Sequence, residues 1–240
     1  MFVSAIVAAA GKGKRMGEKV NKQYLLCGGK PVLAQTLLSL SLYPFDEMVI
    51  AVAPGEEEFC HKEIVVPLKL DIPVKVVSGG KERQDSIFNA IKILAPQTEV
   101  VLIHDGARPF ITRQLLVDSV EAAKVYGAAV TAVPVMDTIK RADDEGFVVD
   151  TPPRSLLWAA QTPQAFLFPL LCEAYGKAFE AGFWGTDDAS LVERLGHRVK
   201  IIRGRYENIK ITTPQDLILA ESLLRGEEEG GCCDENRNRL

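Results

Sequence analysis

Short apolar runs alternate with longer amphipathic segments through the first 134 residues, and this rhythm leaves few folds open to the chain. Strand-like runs occur at Val3–Ala8, Met48–Ala53, Val74–Val77, Val100–His104 and Ala128–Pro134. Between them the spacing of apolar residues predicts helices near Val32–Leu42, Glu57–Leu68, Asp85–Leu94 and Thr112–Tyr126. Continuous apolar strands are buried on both faces, and strands separated by helices cannot pair as hairpins. Such a chain builds a mostly parallel sheet covered by helices, an α/β fold. At 240 residues, 47% of them hydrophobic, it has enough apolar surface for one sizeable core.

The rhythm breaks after Pro134. Asp137–Arg141 and Phe147–Asp150 flank the turn-like Ala142-Asp143-Asp144-Glu145-Gly146, which predicts a hairpin, and Thr151-Pro152-Pro153 then interrupts regular pairing. A partly polar hairpin buries little apolar area alone, so it is expected to project and pack against something else, such as a second subunit. A helix resumes near Phe168–Ala181, and Thr186-Asp187-Asp188 reads as a helix start with acids in its first turn. Strand-like Val199–Ile202 and Glu207–Ile211 follow, then a last helix from Thr213-Pro214 to about Leu224. The domain is expected to span 1–225, with the arm at about 137–160. Residues 226–240, rich in Glu, Gly and Asn, are expected to be a disordered tail.

A formal net charge of −4 argues against a general nucleic-acid binder, and no apolar run approaches membrane-spanning length. The first residues lack the basic region and cleavage site of a secretory signal, so the expected address is the cytoplasm. Cys27, Cys60, Cys172, Cys232 and Cys233 are odd in number and scattered, which predicts reduced thiols. No C-x-x-C pair suggests zinc.

In open α/β sheets ligands lie beyond the carboxyl ends of the strands. The first strand runs into Ala9-Ala10-Gly11-Lys12-Gly13-Lys14-Arg15-Met16, with Lys22 shortly after. Glycines let backbone amides approach phosphate oxygens, and Arg15 and Lys22 add charge where a triphosphate would lie. Met16 stands where both the dinucleotide motif and the Walker A loop require glycine, so neither motif is present. After Val74–Val77 comes Ser78-Gly79-Gly80-Lys81-Glu82-Arg83-Gln84-Asp85-Ser86, where paired glycines permit close approach and Ser86 offers a hydroxyl to a base or ribose. After Val100–His104 comes Asp105-Gly106-Ala107-Arg108-Pro109. A strand-end carboxylate beside polyphosphate suits Mg²⁺, and Arg108 suits a fork on phosphate; the plain alternative is an Asp105–Arg108 ion pair. Asp187 suits substrate hydroxyls or a helix cap. Lys210, between Ile209 and Ile211, reads as a strand residue facing away from them. His104, ending a buried run, reads as a hydrogen-bonded core residue, and no spacing suggests covalent catalysis.

These loops, taken in order, resemble one family. The motif A-A-A-G-x-G-x-R-M with its following lysine is similar to the nucleotidyltransferase superfamily at large. Gly79-Gly80-Lys81-Glu82-Arg83, His104-Asp105-Gly106-Ala107-Arg108-Pro109, Asp137-Thr138-Ile139-Lys140, Gln161-Thr162-Pro163-Gln164, Thr186-Asp187-Asp188-Ala189-Ser190 and Asn208-Ile209-Lys210 narrow it. The set resembles the 2-C-methyl-D-erythritol 4-phosphate cytidylyltransferase family, from about Val3 to Leu224. The resemblance implies a Rossmann-like domain and a β-arm exchanged within a homodimer. It also implies Mg²⁺-dependent attack of the substrate phosphate on the α-phosphorus of CTP, yielding 4-diphosphocytidyl-2-C-methyl-D-erythritol and pyrophosphate. Matched motif by motif, it implies that Ala9, Ala10, Gly11, Gly80 and Ser86 contact the cytidine. Arg15, Lys22 and Lys210 would surround the triphosphate, and Asp105 would hold Mg²⁺. Arg108, Thr186 and Asp187, with Thr138, Arg154 and Thr162 from the arm region, would hold the methylerythritol phosphate. Asn21 stands where many members have proline before the lysine.

Three other readings compete. One is a cytidylyltransferase of the same fold acting on a pentitol phosphate such as ribitol 5-phosphate. Another is a sugar-1-phosphate nucleotidyltransferase using UTP or GTP, against which the Asp105–Pro109 and Asn208–Thr212 motifs speak. The last is a non-catalytic nucleotide-binding regulator, which the joint presence of Arg15, Lys22, Asp105 and Lys210 disfavours.

Overall fold

The computed structural model describes residues 1–11 and 21–230, without the side chains of Lys22 and 227–230. The strands are β1 (Phe2–Ala9), β2 (Leu26–Cys27), β3 (Lys30–Pro31), β4 (Glu47–Val52), β5 (Val74–Ser78), β6 (Thr98–Asp105), β7 (Ala128–Pro134), β8 (Arg141–Ala142), β9 (Val148–Asp150), β10 (Trp158–Leu167) and β11 (Lys200–Arg203). The helices are α1 (Val32–Leu40), α2 (Glu57–Phe59), α3 (Val66–Leu68), α4 (Arg83–Ile91), α5 (Arg113–Tyr126), α6 (Phe168–Glu180), α7 (Asp188–Arg194) and α8 (Pro214–Gly230). A π-helical stretch, Cys60–Val65, joins α2 to α3, so helical backbone covers the predicted 57–68 segment.

Seven strands form the main sheet in the order β11-β7-β10-β6-β1-β4-β5. All neighbours pair in parallel except β10, which is antiparallel to both β6 and β7. The alternation of a pleated strand sorts the core into two layers. Val3, Ala5 and Val7 of β1, Met48 and Ile50 of β4, and Val100 and Leu102 of β6 face α1 and α5, meeting Leu33, Leu37, Leu116 and Val120. Ile6, Val49, Ala51, Val101 and Ile103 face the other way, onto Ile87 of α4, Tyr175 of α6 and Val192 of α7. Both faces are buried, which is why these strands read as unbroken apolar runs. A third cluster, in which Ile211 and Ala220 meet Cys27, Val32 and Phe110, seats α8 against the β2–β3 hairpin.

Three sequence expectations are corrected. The longest strand, β10, was not among the predicted strands; its middle carries Gln161, Thr162, Pro163 and Gln164, and a register shift falls between Ala160 and Gln164. Glu207–Ile211 is not a strand: Asn208 turns inward, donating to the Thr162 carbonyl at 2.9 Å, while the Ile211 amide bonds to Ala107 outside any sheet. The last helix starts as expected, with the Thr213 hydroxyl accepting from the Asp216 amide, but runs on past Leu224 to Gly230. The proposed tail beyond it, including Cys232 and Cys233, lies outside the described residues. Cys27, Cys60 and Cys172 are free thiols.

The arm is present in outline. Val135 and Leu157 close its base with a backbone hydrogen bond of 3.1 Å, and the paired section is shorter than predicted, limited to β8 and β9. Asp143 shapes the turn by accepting from the Glu145 and Phe147 amides. Met136, Phe147, Val148, Val149 and Leu156 are all more than half exposed. Exposed apolar side chains are thus gathered on the arm.

Candidate active site

The carboxyl ends of β1, β5 and β6 meet at one edge of the sheet. Ala8 and Asp105 lie side by side in register, and the Gly106 amide donates to the Ala8 carbonyl. The loop after β5 presses on the end of β1 so closely that a Cβ on Gly79 would stand 2.5 Å from that of Ala10 and 2.8 Å from the Val52 carbonyl. Glycine is therefore required there by space. Ser86 Oγ accepts from the Gly80 amide and donates to the Glu82 carbonyl, so its proton serves the loop. Ala10 and the Gly79–Ser86 loop thus lie together at neighbouring strand ends, the place where the sequence motifs put the nucleotide.

Arg15 lies outside the described residues, as does the Lys22 side chain. The backbone of Lys22 begins a short 3-10 turn, Lys22–Tyr24, and both its neighbours are tied down. Asn21 donates through its side chain to Glu56, which also accepts from the Tyr24 hydroxyl at 2.9 Å. Gln23 is buried and donates to the Ala9 carbonyl at 2.7 Å. Side-chain bonds from Asn21, Gln23 and Tyr24 therefore hold the turn.

Beside these loops lies a cavity of about 240 Å³ lined by residues that include Arg83, Asp105, Arg108, Thr162, Asp187 and Lys210. Asp105 is 5% exposed and sits among three cations. Lys210 Nζ is 2.7 Å from Oδ2, Arg83 Nε 3.4 Å from Oδ1, and Arg108 Nε 3.6 Å from Oδ2. Burial opposes the negative charge, but Arg83, Lys210 and Arg108 outweigh it and hold the carboxyl far below the usual range. Lys210 is thus no solvated strand residue: the loop that failed to become a strand delivers it to Asp105. Arg108 also donates to the Asn208 carbonyl at 2.6 Å, so the Asp105–Arg108 ion pair, the plain alternative to a phosphate fork, is present within a larger network.

His104 is fully buried, and its hydrogen bonds run in one direction. Nε2 lies 2.9 Å from the Arg108 carbonyl, which can only accept, so Nε2 carries the proton. Nδ1 must then accept, and the Thr162 hydroxyl at 3.1 Å donates to it while accepting from the Asp105 amide at 3.0 Å. Burial pushes the imidazole pKa down to about 4. His104 is a neutral strut, as expected, and Thr162, one of the predicted substrate contacts, gives its proton to His104 and braces Asp105 by accepting from its amide.

Thr186 and Asp187 also line the cavity. Asp187 caps α7 by accepting from the Ser190 amide, and its second oxygen accepts from Gln164 at 2.7 Å. Thr138 and Arg154 are not among the lining residues. They stand exposed on the arm, where Arg154 donates to the Met136 carbonyl. Sequence reasoning missed the roles of Arg83, Asp188 and Gln164. Arg83 forks onto Asp188 at 2.9 and 2.7 Å, and Gln164 also accepts from the Ala189 amide. The only signal was their presence inside motifs singled out for other residues.

Among the described residues no group of three His, Cys, Asp or Glu side chains could hold a metal. Asp105 offers one carboxylate, already engaged by cations. Mg²⁺ accepts one or two carboxylates when phosphate oxygens and water complete its shell. Among the described residues the set does not fit a resident ion; a single carboxylate fits an ion whose other ligands would be phosphate oxygens and water. No helix among the described residues is long and apolar enough to cross a membrane.

Residues 3–226 match the family described as IspD: 2-C-methyl-D-erythritol 4-phosphate cytidylyltransferase. A relative of that name from Alkaliphilus metalliredigens is 48% identical over 233 residues, covering 97% of each chain. Another, from Caldanaerobacter subterraneus subsp. tengcongensis, is 46% identical over 226 residues, covering 94% of this chain and all of the relative. The crystal structure of 4-diphosphocytidyl-2C-methyl-D-erythritol synthase from Anaerococcus prevotii superposes with a TM-score of 0.83 at 37% identity, covering 93% of this chain and 98% of that one. With sequence, fold and strand-end loops in agreement, the chain belongs to the 2-C-methyl-D-erythritol 4-phosphate cytidylyltransferase family.

Proposed function

We propose that the Asp105–Lys210 cavity is where two phosphates meet during cytidylyl transfer. As a member of its family the chain transfers the cytidylyl group of CTP to 2-C-methyl-D-erythritol 4-phosphate, releasing pyrophosphate. The observation that carries the site assignment is the gathering of Arg83, Arg108 and Lys210 round one buried carboxylate beside the glycine loops.

The nucleophile is a phosphate monoester, already ionised at neutral pH, so no general base is needed. A neutral His104 with both nitrogens occupied suits this chemistry. The obstacle is repulsion between anions, and it is met by positive charge. In this reading Arg108 and Lys210 turn from Asp105 and Asn208 toward phosphate. Thr186 and Asp187 hold the polyol beside Thr162. Ala9, Ala10, Gly11, Gly80 and Ser86 seat the cytidine, and Arg15 and Lys22 line the triphosphate. Donors fixed in place before reaction stabilise charge that builds on the pentavalent phosphorus and on the departing pyrophosphate. Mg²⁺, held by phosphate oxygens and Asp105, would supply further neutralisation.

The same reading makes the enzyme a homodimer in which the apolar arm of one copy carries Thr138 and Arg154 to the cavity of the other. Two measurements test it. Pyrophosphate release should require CTP and methylerythritol phosphate, with UTP, GTP and ribitol 5-phosphate as poor substitutes. Arg154→Ala and Lys210→Ala should each be nearly inactive, yet a refolded equal mixture should recover about a quarter of wild-type activity, since half the dimers are mixed and each has one intact site. A mixture no more active than its components would exclude an arm acting in trans.

A further inference from the structure

Arg83 opens α4 directly after the Gly79–Glu82 loop, and its side chain crosses to a distant part of the chain. It makes a two-pronged bond to Asp188, with Nη1–Oδ1 at 2.9 Å and Nη2–Oδ2 at 2.7 Å, while Nε faces Asp105. Asp188 is 1% exposed and also accepts from the buried Tyr175 hydroxyl at 2.6 Å. Three of the five guanidinium N–H groups are thereby directed at carboxylates. The next residue repeats the gesture. Gln84 donates to the Phe183 carbonyl at 3.1 Å and accepts from the Gly185 amide at 3.0 Å. Two consecutive residues of α4 therefore grip the chain on both sides of Thr186 and Asp187, and Gln164 holds the same segment from β10.

The cations round Asp105 differ in freedom. Lys210 is a third exposed, on a flexible stem, and meets one oxygen. Arg83 is locked by the fork to Asp188 and cannot follow a phosphate without leaving a buried carboxylate unpaired, which is costly. An anion that must release Lys210 to an incoming phosphate needs a counter-ion that stays.

We infer that Arg83 is a positioning residue. It is the fixed counter-ion of Asp105 and, with Gln84, the rigid link that sets the Thr186–Asp187 segment at its working distance from the nucleotide loop. The inference rests on the family's reaction and assigns a new role within it. Because the link acts on the polyol side, its loss should show in the KM for methylerythritol phosphate. Geometry matters as well as charge, so lysine, which lacks the fork, should not replace arginine.

Arg83→Gln and Arg83→Lys should each raise the KM for methylerythritol phosphate at least about tenfold while the KM for CTP stays within about threefold. Gln84→Ala, which breaks no ion pair, should shift the same constant in the same direction by a smaller factor and serves if Arg83→Gln fails to fold. Hydrogen exchange at the amides of Gly185, Ala189 and Ser190 reads the grip with no substrate present and should quicken in Arg83→Lys and Gln84→Ala. Wild-type kinetics in Arg83→Lys would overturn the assignment, as would an equal rise in both KM values, a fall in kcat alone, or unchanged exchange. A wild-type protein without cytidylyl transfer would sink the family reaction instead, and the exchange measurement would still decide whether the grip exists.

Discussion

Replacing Asp105 by asparagine keeps the shape of the side chain and removes the charge that Lys210, Arg83 and Arg108 share. Lys210, Arg83 and Arg108 approach its oxygens at 2.7, 3.4 and 3.6 Å, and the group is 5% exposed. Breaking a buried ion pair by neutralising one partner costs about 3–5 kcal/mol. Lys210 can swing into water, so the lower end applies here. Since 1 kcal/mol moves Tm by about 2–4 °C in a chain of this size, Asp105→Asn should melt about 6–12 °C below wild type. The variant also leaves Lys210 free for an outside anion, which in wild type must first displace it from Asp105. If that competition is worth about 1.4 kcal/mol, pyrophosphate without metal should bind the variant about tenfold more tightly. At a hundred times its Kd it would restore about 2.7 kcal/mol. The assay is thermal melting with and without pyrophosphate, in chelator. Equal melting temperatures, or equal stabilisation of both proteins by pyrophosphate, would show that Asp105 is not the organiser of these cations. On the same variant the Mg²⁺ dependence of the rate should weaken, and an unchanged dependence would remove Asp105 from the ion's shell.

Other expectations follow from the same geometry. Lys22→Ala should lower turnover on the order of 10²–10³, by analogy with the loss of one positioned donor; turnover within a few-fold of wild type would take Lys22 out of the chemistry. Asp187→Ala should raise the demand for methylerythritol phosphate while sparing CTP, and should cost about 1 kcal/mol as a lost helix cap; loss of CTP affinity alone would contradict the assignment. His104, whose pKa burial lowers to about 4, makes stability depend on acid. The unfolded chain takes up a proton near pH 6.5 that the native chain refuses until about pH 4. The stabilisation is therefore complete above pH 6.5 and lost as pH falls through that window, about 3 kcal/mol in all. Denaturant titrations of wild type and His104→Gln at pH 7, 5.5 and 4.5 should show a shallower decline for the variant, and parallel declines would clear His104 of the effect.

The sheet was legible where strands are buried on both faces by neighbours of the same chemistry. Val3–Val7, Met48–Val52 and Val100–Ile103 are apolar at nearly every position because helices cover both sides. Trp158–Leu167 escaped notice because its burial is satisfied by hydrogen bonds. Gln161 donates to the Arg205 carbonyl, Thr162 to His104, and Gln164 to Asp187, so a buried strand carries the composition of a loop. The opposite error arose at Glu207–Ile211, whose alternation imitates a strand while Asn208 diverts the backbone inward. Within the site, loop residues close to a strand end could be read from order alone. The Arg83–Asp188 fork spans 105 positions, and nothing local distinguishes Asp188 from its capping neighbour Asp187. One of these carboxylates meets an arginine only because α4 and α7 cover the same face of the sheet.

The reversed strand β10 has a consequence for how the molecule is born. It enters the sheet between β6 and β7, both of which leave the ribosome before it, with the arm intervening. Until it arrives, β6 and β7 lack their shared neighbour, and Asp105 and Arg108 exist without Thr162, Asp187 or Lys210. Closing that gap joins positions far apart along the chain, the kind of contact that forms late. A polypeptide halted anywhere short of its final third therefore carries the nucleotide loops without the machinery to use them, and the site is completed only as β10, then Asp187, then Lys210 are added in turn.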